Sequence, residues 1–161
     1  MANKDQSKGL EPVGRIRHTA VYVAGGTVYP GDIVTMGSGG TVAAAAAGTT
    51  ANCGVALNYA VSGNDVLVAD DPSQEFVVQA DDATIAAQTN LGLNYNITVG
   101  TASTLYKRSA MECDASTGAT DSNLPLRVLR ILPAIDNALG DQVDVVVRLN
   151  NHQNGNATLG T

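Results

Sequence analysis

Residues 126–153 read LRVLRILPAIDNALGDQVDVVVRLNNHQ, and this stretch decides the fold. It contains two apolar runs of strand length, separated by a loop at 133–141. In the second run a β-branched or other apolar residue returns at every other position, which is typical of a strand with one buried face. We therefore expect the two runs to pair as antiparallel neighbours. The apolar face predicted for the second run comprises Val143, Val145, Val147 and Leu149.

The first run, at 126–132, alternates less regularly than the second. Arg127 and Arg130 lie three positions apart, so a regular strand would place them on opposite faces. Such a strand would have one face on a core and the other in contact with something polar.

Short apolar runs separated by turns continue through most of the chain. Turn signals recur roughly every 8–12 residues, the spacing of an all-β barrel or sandwich. Two acids at the start of 81–88 favour one short helix there. The predicted fold is mainly β, a small barrel or sandwich of short antiparallel strands with one short helix. Further strands are expected at 15–23, 33–36, 54–57, 65–69, 75–79, 94–99 and 110–113.

The segments between these strands have distinct compositions. Glycines at 37–40 predict a hairpin turn. The five alanines at 43–47 are too few to repay helix nucleation, so we expect an extended segment or one loose turn. The polar segments 101–107 and 116–123 are predicted to be loops.

The chain divides into three parts by composition. Residues 1–12 are polar, with almost nothing to bury, and are expected to form a flexible N-terminal arm. Residues 13–153 form the predicted β-rich domain, with a division into two lobes at about 13–75 and 76–153 left open. Residues 154–161 are expected to form a loose C-terminal tail.

Charge is distributed unevenly along the 161 residues, whose formal net charge is −6. Residues 18–106 contain seven acids and no Lys or Arg, whereas 1–17 carry a small positive charge. This balance argues against a nucleic-acid partner, which needs clustered basic residues. The acidic middle is interpreted as a solvated surface, with the ends of the chain as candidates for contact with a partner.

Other compositional features narrow the function further. No apolar run approaches the ~20 residues of a membrane span, so no membrane partner is expected. The protein is expected to be synthesised in a cytosol. One Phe and no Trp weigh against a sugar-binding surface built on aromatic faces.

No set of residues predicts catalysis or metal binding. His18, His152, Cys53 and Cys113 lack the spacing of a zinc site, and both cysteines are expected to be reduced and buried. The acid pairs at 70–71 and 81–82 are interpreted as turn and capping residues, because neighbours on a strand point to opposite faces. We therefore predict no enzyme activity and no cofactor.

Several quoted stretches match a known kind of protein. RIRH at 15–18, TVYPGDIV at 27–34, GTVAAAAAG at 40–48 and ADDATIAAQTNLGLNYNI at 80–97 lead to the most specific stretch, LPLRVLRILPAIDNALGDQVDVVVRLNNHQ at 124–153. Together they resemble the head decoration, or cement, proteins of tailed bacteriophages. The resemblance covers residues 13–153 and depends on glycine turns and apolar strands.

The resemblance implies a structural virion protein on the outer surface of the mature phage head. Such proteins bridge major capsid protein subunits and stabilise the head against the pressure of packaged DNA. They assemble as trimers or dimers, of which a trimer is favoured here, and no enzyme activity accompanies them. The expected partners are therefore the major capsid protein and further copies of this chain.

The basic residues near the two ends are the candidate contacts with the capsid or with neighbouring subunits. The alternative for the arginines is that their stems cover apolar surface. Deleting residues 1–12 is expected to leave the protein folded but to weaken its hold on the capsid. The candidates are Lys4, Lys8, Arg15, Arg17, Arg127 and Arg130.

Three other functions remain open from the sequence. A tail-tube, baseplate or spike component would have a similar β-rich, Gly- and Thr-heavy chain. A carbohydrate-binding surface module is less favoured because aromatic residues are few. A small hydrolase would require a cleft that holds a buried His or carboxylate with a strongly shifted pKa.

Overall fold

The computed structural model describes residues 3–48, 51–85 and 87–155, and its fold is mainly β. One six-stranded sheet and one closed five-stranded barrel contain all the named strands. The predicted fold class is therefore confirmed. The strands are β1 (Glu11–Pro12), β2 (Thr19–Ala24), β3 (Ile33–Met36), β4 (Thr41–Ala44), β5 (Gly54–Ala56), β6 (Asp65–Ala69), β7 (Glu75–Gln79), β8 (Asn94–Val99), β9 (Met111–Ala119), β10 (Leu126–Ile131) and β11 (Asp144–Leu149).

The stretch at 126–153 forms the centre of the six-stranded sheet, whose order is β1-β7-β11-β10-β8-β9. Strands β10 and β11 pair antiparallel, as the sequence predicts. The predicted apolar face of β11 is buried, because Val143, Val145 and Val147 are inaccessible to solvent and Leu149 is nearly so. On the opposite face Arg148 is exposed, whereas Val146 is also buried.

An irregularity in β10 overturns the prediction that its two arginines lie on opposite faces. Arg127 pairs with Arg148, but the register shifts after Val128 so that Arg130 pairs with Val146. One extra residue opposite a regular strand is a β-bulge, and a bulge re-aims the side chains that follow it. Because residues 146 and 148 share a face of β11, Arg127 and Arg130 also share a face.

The barrel is built from the first half of the chain, in the order β2-β4-β3-β5-β6, and β6 pairs with β2 to close it. The predicted turn at 37–40 joins the antiparallel hairpin β3–β4. The pairing of β2 with β4 is parallel, so the expectation of antiparallel strands alone was wrong for this pair. Strand β4 takes in the first alanines of 43–47, so that part of the run is extended.

One apolar core joins the barrel to the sheet. Ile33, Val55 and Ala69 of the barrel belong to the same buried cluster as Phe76 and Tyr95 of the sheet. A second, smaller cluster fills the barrel itself. The chain passes from barrel to sheet between β6 and β7, near the lobe boundary considered at residue 75, but the shared cluster packs the two parts together.

Residues 3–12 lie against the body, so the expectation of an arm with almost nothing to bury is corrected for them. Leu10 is 2% exposed and belongs to the shared core. Glu11 and Pro12 form β1 on the edge of the sheet, paired with β7. The Gln79 side chain accepts a hydrogen bond from the Gln6 N–H and donates one to the Lys4 carbonyl oxygen. Most of the predicted tail, 156–161, lies outside the described residues.

Smaller differences concern element bounds. The short helix predicted at 81–88 is reduced to one 3-10 turn at Gln88–Asn90. Strand β2 begins at Thr19, later than predicted, and β9 extends to Ala119 through part of the predicted loop 116–123. Within the described part of the chain, no helix has the length and apolar character to cross a membrane.

Candidate interaction face

Three arginines share the outer face of the six-stranded sheet, and two more line a cavity beside Glu75 on that sheet; we call all five the arginine cluster. Arg127 and Arg148 are direct cross-strand partners on β10 and β11, and the bulge in β10 brings Arg130 to the same face. Arg15 and Arg17 lie in the segment that follows β1. The cluster therefore contains Arg15, Arg17, Arg127, Arg130 and Arg148.

Glu75 of β7 is a carboxylate that two arginines of the cluster share. Its Oε2 lies 2.7 Å from Nη2 of Arg130, and its Oε1 lies 3.5 Å from Nη2 of Arg148. The hydrogen bond from Arg130, with the charges of both arginines, lowers the pKa of Glu75. One anion thus restrains two guanidinium groups on two different strands, which reduces the side-chain entropy that each loses on binding a partner.

Arg15 and Arg17 are placed beside Glu75 by the strand β1 that precedes them. The Val13 N–H donates to the carbonyl oxygen of Glu75 at 2.9 Å, which continues the β1–β7 ladder. The N–H of Arg17 donates to Oε1 of Gln74 at 3.0 Å. Both arginines are exposed, and both line an open cavity of about 430 Å³ whose wall also includes Glu75. Among the described residues neither guanidinium has an ion pair.

The arginine cluster differs in charge from the rest of the molecule. It contains five of the nine basic residues, with Glu75 as its own carboxylate, whereas the chain carries 15 acids and a net charge of −6. Guanidinium groups bind carboxylates with two parallel hydrogen bonds and are weakly hydrated, which suits them to protein interfaces. The cluster is therefore suited to an acidic surface.

The two candidate lysines lie outside the arginine cluster. Lys8 forms an ion pair with Glu11 at 3.3 Å, and the same carboxylate accepts a 2.9 Å hydrogen bond from Arg108. Lys4 is exposed at the other end of β7, where a small cavity also includes Asp136 and Asp144. Four of the six sequence candidates thus belong to the cluster and two do not.

Arg148 and Glu75 are not among the contact residues predicted from the sequence. Arg148 lies on the opposite face from the alternating apolar residues of the second run, and this position could have identified it as exposed. Glu75 gave no such signal, because its role depends on the order of the strands in the sheet. The sequence could not predict that Arg127 and Arg130 share a face, because this depends on the bulge in β10.

His18 and Asp70 form a second polar pair, at the start of the barrel. Nδ1 of His18 lies 2.5 Å from Oδ1 of Asp70, and this hydrogen bond raises the pKa of His18. The Asp70 side chain is 6% exposed, whereas that of His18 is 67% exposed. The buried carboxylate therefore fixes an imidazole that faces solvent, which is an arrangement for stabilising the chain after β6.

The remaining groups with chemical potential are buried in the core. Burial raises the pKa of Cys53 to about 11 and that of Cys113 still further, so both remain thiols, free and buried as predicted. Burial lowers the pKa of His152, whose Nδ1 accepts a hydrogen bond from the Asn154 N–H. Within residues 3–48, 51–85 and 87–155, no three His, Cys, Asp or Glu side chains are grouped to hold a metal ion.

We compared the chain with protein families, curated proteins and solved structures. No family model matches the chain, and no curated protein and no solved structure is similar to it.

Proposed function

We propose that this protein is a structural component of a tailed-phage virion that binds the outer surface of the mature head through the arginine cluster. In this proposal the cluster contacts carboxylates of the major capsid protein and bridges its subunits. The protein is made in the host cytoplasm and acts on the particle, as an assembly of several copies and without a catalytic step.

The observation that carries the proposal is the contrast between the arginine cluster and the acidic remainder of the chain. A molecule with a net charge of −6 is repelled by an acidic surface at long range. The arginine cluster directs it to approach such a surface in one orientation, because complementary potentials steer an encounter. The acidic remainder then faces solvent.

The position of the cluster on a sheet also supports the proposal. The arginines are mounted on paired strands and on a segment tied to β7, so their spacing is fixed before binding. Each exposed ion pair contributes only about 0.2–1 kcal/mol. Several pairs on each copy, repeated over a lattice of identical subunits, add through effective concentration to a firm attachment.

A cosedimentation experiment with purified heads that lack the protein tests this function. The double variant Arg15→Gln/Arg17→Gln removes two charges from the cluster without touching the Glu75 ion pairs. Lys4→Glu changes the net charge equally at the other end of β7 and serves as the matched control. We expect the double variant to bind heads about tenfold more weakly, and the control to bind as the native chain does.

Three outcomes would refute the proposal. The first is equal binding of the double variant and the control at every salt concentration. The second is attachment of the native protein to tails alone in electron micrographs, which would instead support a tail-tube, baseplate or spike component. The third is binding of duplex DNA with a steep salt dependence, which would assign the arginine cluster to phosphate groups.

A further inference from the structure

A groove opens at the free edge of β1, between the segment 7–12 and a hairpin at 101–110. Its volume is about 730 Å³, and Leu57, Pro30 and Tyr106 provide apolar parts of its wall. Its charged groups are Lys8, Glu11, Lys107 and Arg108, three cations and one acid. It is therefore a groove with both apolar and polar wall residues and a positive rim in an acidic protein.

The hairpin wall of the groove is held firmly. Ser103 and Arg108 exchange two backbone hydrogen bonds, of 2.9 and 3.2 Å. Arg108 is tied to Glu11 of β1, and the ammonium of Lys107 lies 4.6 Å from the centre of the Tyr59 ring. The groove thus exists before any partner arrives. Even so, Tyr106 on its rim is 79% exposed, and the neighbouring Leu105 is 80% exposed.

The loop at 133–141 carries an exposed apolar side chain and an acid, which complement the apolar wall residues and the positive rim of the groove. Ile135 is the most exposed large apolar side chain of the described residues, and the exposed Asp136 follows it. The amide of Asn137 fixes the base of the loop, donating to the carbonyl oxygens of Leu132 and Asp144 and accepting from the Asp144 N–H. Asn3 binds the far side of the loop through the carbonyl oxygens of Ala138 and Asp141.

We infer that the 133–141 loop of one copy of this chain docks in the groove of a second copy. Ile135 enters the apolar part, and Asp136 pairs with Lys107 at the rim. One exposed apolar side chain is ordinary on a protein surface. Here the loop is ordered by side-chain hydrogen bonds, and its apolar–acidic pair complements an ordered groove of apolar wall and positive rim. Among the described residues Asp136 has no ion pair, and Lys107 contacts Tyr59 but pairs with no carboxylate.

The contact joins two different surfaces, so it can form reciprocally in a two-fold dimer or head to tail with a loop and a groove left free at the ends. Repetition of the head-to-tail contact forms a ring when the rotation closes and a filament when it does not. A loop in a groove buries less than the roughly 800 Å² per partner of a stable interface. Self-association of the free protein is therefore expected to be weak, in the micromolar range or above.

Disulfide trapping between two copies tests the docking directly. Protein with Ile135→Cys is mixed with protein with Ser7→Cys, which lies in the groove, and the mixture is oxidised. The control partner is Ser38→Cys in the exposed turn at 37–40, and the native Cys53 and Cys113 are buried. We expect a mixed dimer, identified by intact mass, at a yield at least about fivefold above that with the control. Equal yields with the two partners would overturn the inference.

Sedimentation velocity at increasing concentration provides the second measurement. Ile135→Asp should weaken association about tenfold or more, whereas Ile135→Leu should keep it. Asp136→Lys and Lys107→Glu should each weaken it, and mixing the two reversed chains should restore it. A native chain that stays monomeric throughout, or an Ile135→Asp chain that associates normally, would refute the docking. Both measurements use free protein, so failure to bind heads would not affect them.

Discussion

Glu75 and Arg130 form a 2.7 Å ion pair although strand β11 lies between the strands that carry them. Adjacent strands are about 4.8 Å apart, so the two side chains together span about 10 Å across β11. The pair forms because the bulge in β10 turns Arg130 to the outer face, where Arg148 contacts the same carboxylate. Local backbone irregularity and the order of the strands together produce the arginine cluster.

Neutralising the carboxylate at the centre of the cluster tests its structural role. Glu75→Gln leaves Arg130 and Arg148 without their common anion, so we expect a loss of about 1 kcal/mol near neutral pH. Because the folded-state pKa of Glu75 is lowered, this stabilisation is present above pH 4.5 and disappears as the pH falls through the folded-state value. Urea unfolding at neutral and acidic pH measures both effects. Asp65→Asn, at an exposed acid, is the control and should change little.

A second prediction concerns Glu112 on β9. Burial raises the pKa of Glu112 to about 7, and the charges of Asp5, Asp81 and Asp82 add to this effect. The folded protein then holds a proton that the unfolded chain releases near pH 4.5, so stability falls as the pH rises from 4.5 to about 7. Glu112→Gln should remove this slope and gain about 1 kcal/mol above neutrality, a figure that allows for solvent screening. A variant with the native pH profile in urea unfolding would contradict this prediction.

The His18–Asp70 pair makes the opposite pH prediction. The pKa of His18 is raised, so its contribution to stability is complete below the unfolded value of 6.5 and is lost as the pH rises through the folded value. Asp70→Asn should return the pKa of His18 toward 6.5, measured from the imidazole resonances by NMR titration. Asp71→Asn is the comparison variant and should shift the His18 titration less, because the charge of Asp71 is the smallest of the causes that raise this pKa. An unchanged His18 titration in the Asp70→Asn variant would exclude Asp70 as the cause.

Barrel closure depends on a glycine at the start of β5. Gly54 has a φ of +146°, and a Cβ there would lie 2.3 Å from the carbonyl oxygen of Ala69 on β6. We expect Gly54→Ala to cost about 3 kcal/mol or more, because backbone must shift and the left-handed conformation is strained. Gly26→Ala, where nothing lies within 4 Å and φ is ordinary, is the matched control. Equal unfolding midpoints for the two variants would refute this account.

The burial of Leu10 argues against the expectation that residues 1–12 can be removed without loss of fold. The side chain is 2% exposed in the core shared by barrel and sheet. Leu10→Ala should therefore destabilise the protein by about 2–4 kcal/mol. Leu105→Ala removes the same atoms from a side chain that is 80% exposed and should cost almost nothing. Thermal unfolding of the pair of variants decides whether this segment belongs to the fold.

The sequence by itself determined where most strands lie and which face of β11 enters the core. Strands β3, β6, β7 and β8 have the predicted bounds, because β-branched alternation between turn residues is a local signal that burial reinforces. The second apolar run placed Val143, Val145 and Val147 in the core for the same reason. Hairpin chemistry at 37–40 likewise needs only neighbouring residues.

Only the tertiary structure decided which distant residues meet. The polar composition of 1–12 gave no sign that residues 3–12 pack against the body, since one buried leucine and a two-residue strand give no periodicity. The parallel β2–β4 pair and the sheet order β1-β7-β11-β10 depend on how the chain packs as a whole. The bulge in β10 reversed the direction of Arg130 and so created the arginine cluster around Glu75. Strand periodicity depends on neighbouring residues in the sequence, so it can be predicted locally. A binding face contains residues from several strands, and only the packing of the whole chain determines which of them meet.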